Sequence, residues 1–429
     1  MSAQRVEPRM LPRLLATVTL SVAAAGGACA AAPAAPGGPA FAPATPEEAH
    51  DLDAAARDLE KRIERSGRLL GLAELDAYLQ GVADRLLASD PAAPPQPVRV
   101  RAIKDASANA FVLPNGAVFV TTELLCDLDD EAELAAILGH EITHYANQHL
   151  LRERRDQRHK AATSHALGNI FGVLLTIVAA RYGTGAGDIG AMPQKVLDVW
   201  SVASVAGYSR DLEREADREG MRRMAAAGYD VSGAVRVFEK LAAAAPAVGA
   251  SEPVKYASHP KLEERRRSAQ DLVTGEFQSA TGAGREVGRD AYHARTAGLG
   301  LDQAAVLLES GKPERAGALL RAEIARQDSA RAAYLEGEAA RAAVPRTAAT
   351  EAQAIAAYTR ATTLPGTPVS SYRQLGLLYR ERGERDAAVR ALQAYLERAP
   401  ESTDAPLVRL YLTGLAAPQS SAPPKQEEP

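Results

Sequence analysis

Two cysteines in 429 residues exclude a disulfide-stapled scaffold and a cysteine-built zinc ribbon. A metal centre in this chain must therefore be made from His, Asp and Glu. A charge excess of one sign is also missing, since 50 basic against 54 acidic residues leave a net charge of −4. That balance argues against bulk nucleic-acid or anionic-membrane binding. No series of twenty-residue apolar spans is present, which speaks against a protein that crosses a membrane several times. Aromatics are sparse at 5%, yet 46% of residues are hydrophobic and the charged ones are mixed in sign. Global disorder is thereby excluded, and the length suffices for two domains with cores of their own.

What is present starts with an address. Arg5, Arg9 and Arg13 precede an apolar run from Leu14 to Ala25, and small residues follow at Ala28, Cys29 and Ala30. This reads as a secretory signal peptide over 1–30, with a retained membrane anchor as the alternative. Cys29 after Gly27-Ala28 opens a third reading, a lipidated N-terminus, against which Gly26 stands where a leucine-type residue is usual. Residues 31–46, rich in Ala, Pro and Gly, read as a flexible tether, and 417–429 as a disordered tail.

From Glu47 to Ala88 apolar residues recur at helical spacing, among them Leu59, Ile63, Leu69, Leu72, Leu75 and Leu79. Val98–Ile103 alternates as a strand. Ala110–Leu113 and Ala117–Thr121 are extended runs joined by the turn signal Pro114-Asn115-Gly116. Asp130 is placed to cap a helix whose first turn carries Glu131 and Glu133. The apolar stretch Ala166–Ala180 reads as a buried helix, with a membrane-touching one as the alternative, and the glycine-rich Gly183–Pro193 as a mobile loop. Thr281–Gly288 reads as a domain boundary.

The sharpest chemical signal is His140-Glu141-Ile142-Thr143-His144. On a helix the histidines fall at i and i+4 on one face, so two imidazoles can reach one cation while Glu141 stands beside them. The apolar lead-in Ala135 to Leu138 argues against two stray surface histidines. A third ligand is wanted, and Tyr208 to Asp217 offers Glu213 and Asp217, again i and i+4. One carboxylate can bind the metal while the other orients an imidazole.

The ordered pieces Asn109-Ala110-Phe111, Gly116 to Val120, Glu131 to His144, Ser209-Arg210 with Glu213, Ala216 and Asp217, and Ser258-His259-Pro260 carry a resemblance. The chain resembles the zinc metallopeptidases that include the CAAX-prenyl endopeptidases, HtpX and the periplasmic β-barrel assembly-enhancing proteases. The resemblance covers about residues 105 to 265. It implies one Zn2+ held by His140, His144 and Glu213, with Glu141 as general base and Asp217 behind the ligands. His259 would approach the metal as a regulatory or fourth contact. Ala117–Thr121 is expected to be an edge strand, so that Val118, Phe119 and Val120 pair with an extended substrate. His50, His149, His159, His165 and His293 have no partner pattern and read as ordinary, and nothing marks Cys126 as reactive.

The C-terminal third repeats itself. Val369–Glu401, with Tyr372, Leu375, Gly376, Tyr379, Gly383, Ala388, Leu392 and Pro400, fits the 34-residue tetratricopeptide pattern. Ala316 and Ala354 recur in the position of Ala388, and Gly311 precedes Ala316 as Gly383 precedes Ala388. A generic alanine-rich bundle is the alternative.

The expected fold is mainly α. A gluzincin-type metallopeptidase domain with a small β-sheet occupies 47–284, and an α-solenoid of tetratricopeptide repeats occupies 290–416, with 404–416 as a capping helix. The expected function is a zinc-dependent periplasmic endopeptidase acting on misfolded or stalled outer-membrane proteins. Its expected partners are unfolded substrates and, through the repeats, the outer-membrane assembly machinery, with no nucleic acid and at most a peripheral membrane contact. The rival readings are a chaperone or scaffold acting through the repeats, and an integral-membrane CAAX-type peptidase.

Overall fold

The computed structural model describes residues 46–88, 94, 97–153, 155–156, 208–243 and 262–416. The signal peptide, Cys29, the tether, the stretches 166–180 and 183–193, His259 and the tail lie outside the described residues.

The helical stretch expected over 47–88 is two helices, α1 (Pro46–Arg65) and α2 (Ala73–Ala88). Gly67 and Gly71, at φ 70° and 73°, divide them by taking the left-handed conformation that other residues avoid. The segment between them runs beside β1 (Arg99–Ile103), where Leu70 N donates to Ala102 O at 3.0 Å.

β2 (Ala110–Val112) and β3 (Ala117–Thr121) form the expected hairpin through Pro114 to Gly116. β1 joins the far side of β3 in parallel, so the sheet order is β1-β3-β2. This corrects the edge-strand expectation: β3 is central, both of its sides are hydrogen-bonded, and Val118, Phe119 and Val120 are buried. The sequence carried the reason. Ala-Val-Phe-Val is apolar without alternation, which suits a strand covered on both faces. Val118 and Val120 enter the main core with α2, while Phe119 stacks on Phe111 against α1.

A short helix α3 (Thr122–Asp127) leads to α4 (Glu131–Ala146), which runs through the main core and packs on β2 and α2. Beyond the undescribed stretch come α5 (Arg210–Ala226), α6 (Ser232–Ala243) and α7 (Leu262–Thr274). α5 crosses α4, and α6 packs against both α4 and α7.

Among the described residues eight further α-helices follow: α8 (Arg289–Arg295), α9 (Leu299–Glu309), α10 (Pro313–Arg326), α11 (Ala330–Ala342), α12 (Ala348–Thr363), α13 (Ser370–Glu381), α14 (Arg385–Arg398) and α15 (Ala405–Ala416). From α9 to α15 each helix packs on its sequence neighbours. Three pairs share one device, a glycine on the first helix pressed against the second. A Cβ at Gly300, Gly337 or Gly376 would lie 2.5 Å from Glu323, Tyr358 or Leu392 respectively. Ala316, Ala354 and Ala388, each on the second helix of one of these pairs, are fully buried.

The glycine-rich stretch at 281–288 does not separate two cores. Tyr292 of α8 and Leu299 of α9 belong to the main core cluster. Tyr292 donates its hydroxyl to Leu125 O at 2.5 Å, and Gln303, fully buried, donates to Asp105 O at 3.0 Å and Glu123 Oε2 at 2.7 Å. Among the described residues no helix is long and apolar enough to cross a membrane.

Candidate active site

α4 begins where Asp130, in an extended conformation, accepts a hydrogen bond from Glu133 N at 3.0 Å. Glu131 and Glu133 in its first turn suit the positive end of the helix dipole. Arg236 and Lys240 of α6 pair with Asp130 and Glu133, so these buried carboxylates are neutralised from a second helix.

The site forms where α4 meets α5, and two glycines set the distance. A Cβ at Gly220 would lie 2.9 Å from Gly139 C and from His140 N, and one at Gly139 would lie 3.0 Å from Gly220 O. Backbone therefore touches backbone one residue before the first histidine. That contact brings Glu213, one end of the α5 face, over the α4 histidines.

His140 Nε2 and His144 Nε2 approach to 2.9 Å. Glu213 Oε2 is 3.6 Å from the first and Oε1 is 3.8 Å from the second. All three residues are buried, and their donor atoms lie within 4.8 Å of one another. Zinc bonds of about 2.0–2.1 Å in a tetrahedron put ligand atoms about 3.3–3.4 Å apart, inside the range of these three separations. Glu141 is 1% exposed on the same helix.

Asp217, one turn after Glu213, holds His140 from behind, with Oδ1 2.9 Å from Nδ1. A proton on Nδ1 toward this carboxylate would leave the Nε2 lone pair for a cation; Arg265 Nη2 also lies 3.1 Å from the same Nδ1. Burial pushes the Asp217 carboxyl up, but the Arg265 guanidinium, with hydrogen bonds from His140 and Arg265, holds it well below the usual carboxylate range. Arg265 of α7 clamps both carboxylates. Its Nε and Nη2 reach Asp217 at 2.9 and 2.5 Å, and its Nη1 lies 3.1 Å from Glu213 Oε2. Two imidazoles and the carboxyl groups of Glu141, Glu213 and Asp217 share this buried space with the Arg265 guanidinium. Donor types and spacing fit zinc.

The second imidazole has its own support. Tyr208 stacks on His144 with ring centroids 3.9 Å apart at 17°. His144 Nδ1 lies 2.9 Å from His149 Nδ1. A ≈130 Å³ cavity beside His144 is lined by Val112 at the end of β2, Tyr145, Gln148, Leu151 and Tyr208, among others.

Of the site residues read from the sequence, the structure brings His140, His144, Glu213 and Asp217 together and buries Glu141 beside them. It places Val118, Phe119 and Val120 in the sheet interior instead. Two contributors escaped the sequence reading. Arg265 sits in the run Arg265-Arg266-Arg267, which looks like a solvated helix face. His149, read as ordinary, touches a site histidine, although its spacing from His144 shares no helical face.

Residues 73–273 match the family described as peptidase family M48. The segment belongs to that family. Its relatives include metalloendopeptidase OMA1, mitochondrial, of Bos taurus, 36% identical over 36% of this chain and 27% of that protein. A beta-barrel assembly-enhancing protease of Yersinia pestis is 26% identical over 46% of this chain and 38% of that protein. Metalloprotease YcaL of Escherichia coli is 28% identical over 41% of this chain and 63% of that protein. The chain thus spans about a third of the length of the first two.

Proposed function

We propose that the protein is a zinc endopeptidase of the bacterial periplasm that cleaves misfolded or stalled envelope proteins, outer-membrane proteins among them. The observation that carries the reading is the buried cluster of His140, His144 and Glu213 with Glu141 on the same helix. The names of the M48 relatives support the protease class, and the assembly-enhancing one supports the envelope setting.

Bound at these three residues, zinc supplies Lewis acidity, polarising the scissile carbonyl and easing loss of a proton from water. Glu141 accepts that proton and returns it to the leaving amine, which needs an ionised carboxylate beside the reacting atoms. Asp217 and Arg265 keep His140 and Glu213 oriented throughout. With β3 interior, an extended substrate pairs instead with β2, the outer strand on the side of α4. Main-chain pairing of that kind favours unfolded clients over a strict side-chain motif.

The helix pairs α9–α10, α11–α12 and α13–α14 act as tetratricopeptide repeats capped by α15. Their recurring glycine and alanine crossings support this, and they offer a surface for a client or for the outer-membrane assembly machinery. The deciding experiment is metal analysis of the purified protein with cleavage of casein, wild type against Glu141→Gln. Bound zinc in both, with turnover only in wild type, is expected. Equal turnover in the variant sinks the mechanism, and absence of zinc in wild type sinks the metal centre.

A further inference from the structure

On an unbroken helix a residue five positions on lies about 140° around the axis. His149 would then face away from His144. Instead α4 ends at Ala146, and Gln148 takes φ 52°, the one non-glycine residue with positive φ among the described residues. Such a conformation is uncommon for a residue with a Cβ and collects at functional positions. Helix resumes at His149, which the turn swings back under the end of α4. It is fully buried, and its ring meets that of His144 edge-on at 82° with 2.9 Å between the two Nδ1 atoms.

One of those two nitrogens must donate and the other accept, and the zinc-site reading above, on which this inference rests, settles which. His144 turns Nε2 toward His140 and Glu213, so that atom carries the lone pair and Nδ1 carries the proton. His149 Nδ1 is then the acceptor, and the proton of His149 sits on Nε2, which lies 3.3 Å from Glu215 Oε1, beside the carboxylate but without the alignment of a hydrogen bond. Glu215 is held in turn by Arg152 at 2.9 Å and Asn147 Nδ2 at 2.7 Å. We propose that His149 is a positioning residue for the metal centre, accepting the His144 Nδ1 proton and so fixing the tautomer that frees Nε2, with the nearby Glu215 carboxylate favouring a proton on His149 Nε2. The two ligand histidines are thus supported unequally: His140 by a carboxylate directly, His144 by an imidazole backed by a carboxylate. His149 is not itself a ligand, because Nδ1 is engaged by His144 and Nε2 faces Glu215.

The test measures zinc affinity by chelator competition and the visible spectrum of the cobalt(II)-substituted full-length protein. His149→Phe is expected to weaken zinc about 10–100-fold and to shift the cobalt bands. His149→Asn, whose Oδ1 can accept the same proton, is expected to recover most of that loss, which a role in packing alone would not predict. Where His149→Phe does not fold, Glu215→Leu carries the test, with a severalfold loss of affinity expected. Affinity within twofold of wild type in His149→Phe or Glu215→Leu overturns the proposal, as does His149→Asn being no better than Phe. A wild type that binds no zinc overturns the underlying metal centre instead.

Discussion

At the scale of single residues the proposed site would separate holding a metal from using it. His140→Ala removes one of three protein donors, and the purified protein should contain no zinc. Asp217→Asn keeps an acceptor for His140 Nδ1 but removes the charge that Arg265 pairs with, so zinc affinity should fall about 10–100-fold. Glu141→Gln leaves all three donors in place and should retain zinc fully while turnover drops about 10²–10⁴-fold. Metal content and peptide hydrolysis measured side by side on the three variants test this ordering. If Asp217→Asn binds zinc like wild type, Arg265 and Asp217 serve the fold and not the ligands. The His-Glu-x-x-His spacing was readable along one helix, because i and i+4 share a face. Arg265 and His149 were not, since one arrives from a helix 125 residues away in sequence and the other through a left-handed turn.

Among the helices and strands, the α4–α5 crossing is the most sensitive joint. Gly220→Ala puts a methyl 2.9 Å from backbone atoms of Gly139 and His140, where no side chain can rotate aside. The helices must part, at a cost of about 1–3 kcal/mol, and Glu213 moves away from the histidines with them. Thermal unfolding should show the loss in both apo and zinc-loaded protein, with weaker zinc binding beside it. Unchanged zinc affinity would mean the crossing tolerates the extra atom. At the other end of the chain Asp404, just before α15, accepts from the Tyr395 hydroxyl and pairs with Arg373. The Tyr395 bond, with those from Arg373 and Ser402, holds its carboxyl at about 2. A carboxylate depressed in the folded state stabilises above its unfolded value of about 4, and that contribution is lost as pH falls toward 2. Asp404→Asn should therefore lower the melting temperature at pH 7, and the gap to wild type should close between about pH 4 and pH 2. A gap that stays constant over that range would assign the effect to something other than this charge.

For the molecule as a whole, the helices after residue 289 are packed into the M48-matching part and not merely strung behind it. Tyr292 fills its core, Gln303 satisfies Glu123 and the Asp105 carbonyl, and Arg315 pairs with Glu123 at 2.8 Å. A chain ending at 289 would leave Glu123, 1% exposed here, without these partners and open the core around Leu125. It should melt well below the full chain or fail to stay soluble, whereas a chain ending at 327, after α10, should keep most of its stability and its zinc. Thermal unfolding and metal content of the two truncations decide the matter. Equal behaviour would restore a boundary at 281–288.

Sequence alone determined what is local: the helix bearing His140, Glu141 and His144, its Asp130 cap, the turn at Pro114 to Gly116, and the small-residue spacing of the C-terminal helices. Each follows from periodicity or from a conformation that neighbouring residues impose on one another. Only the tertiary structure decided what lies beside what. It made β3 the middle strand, because β1 pairs with its far side past the intervening β2. It also brought Arg265 and His149 to the buried histidine–carboxylate cluster and sank Tyr292 into the core of the M48 segment. Those contacts join residues far apart in the chain or related by an irregular turn, and no local pattern encodes them.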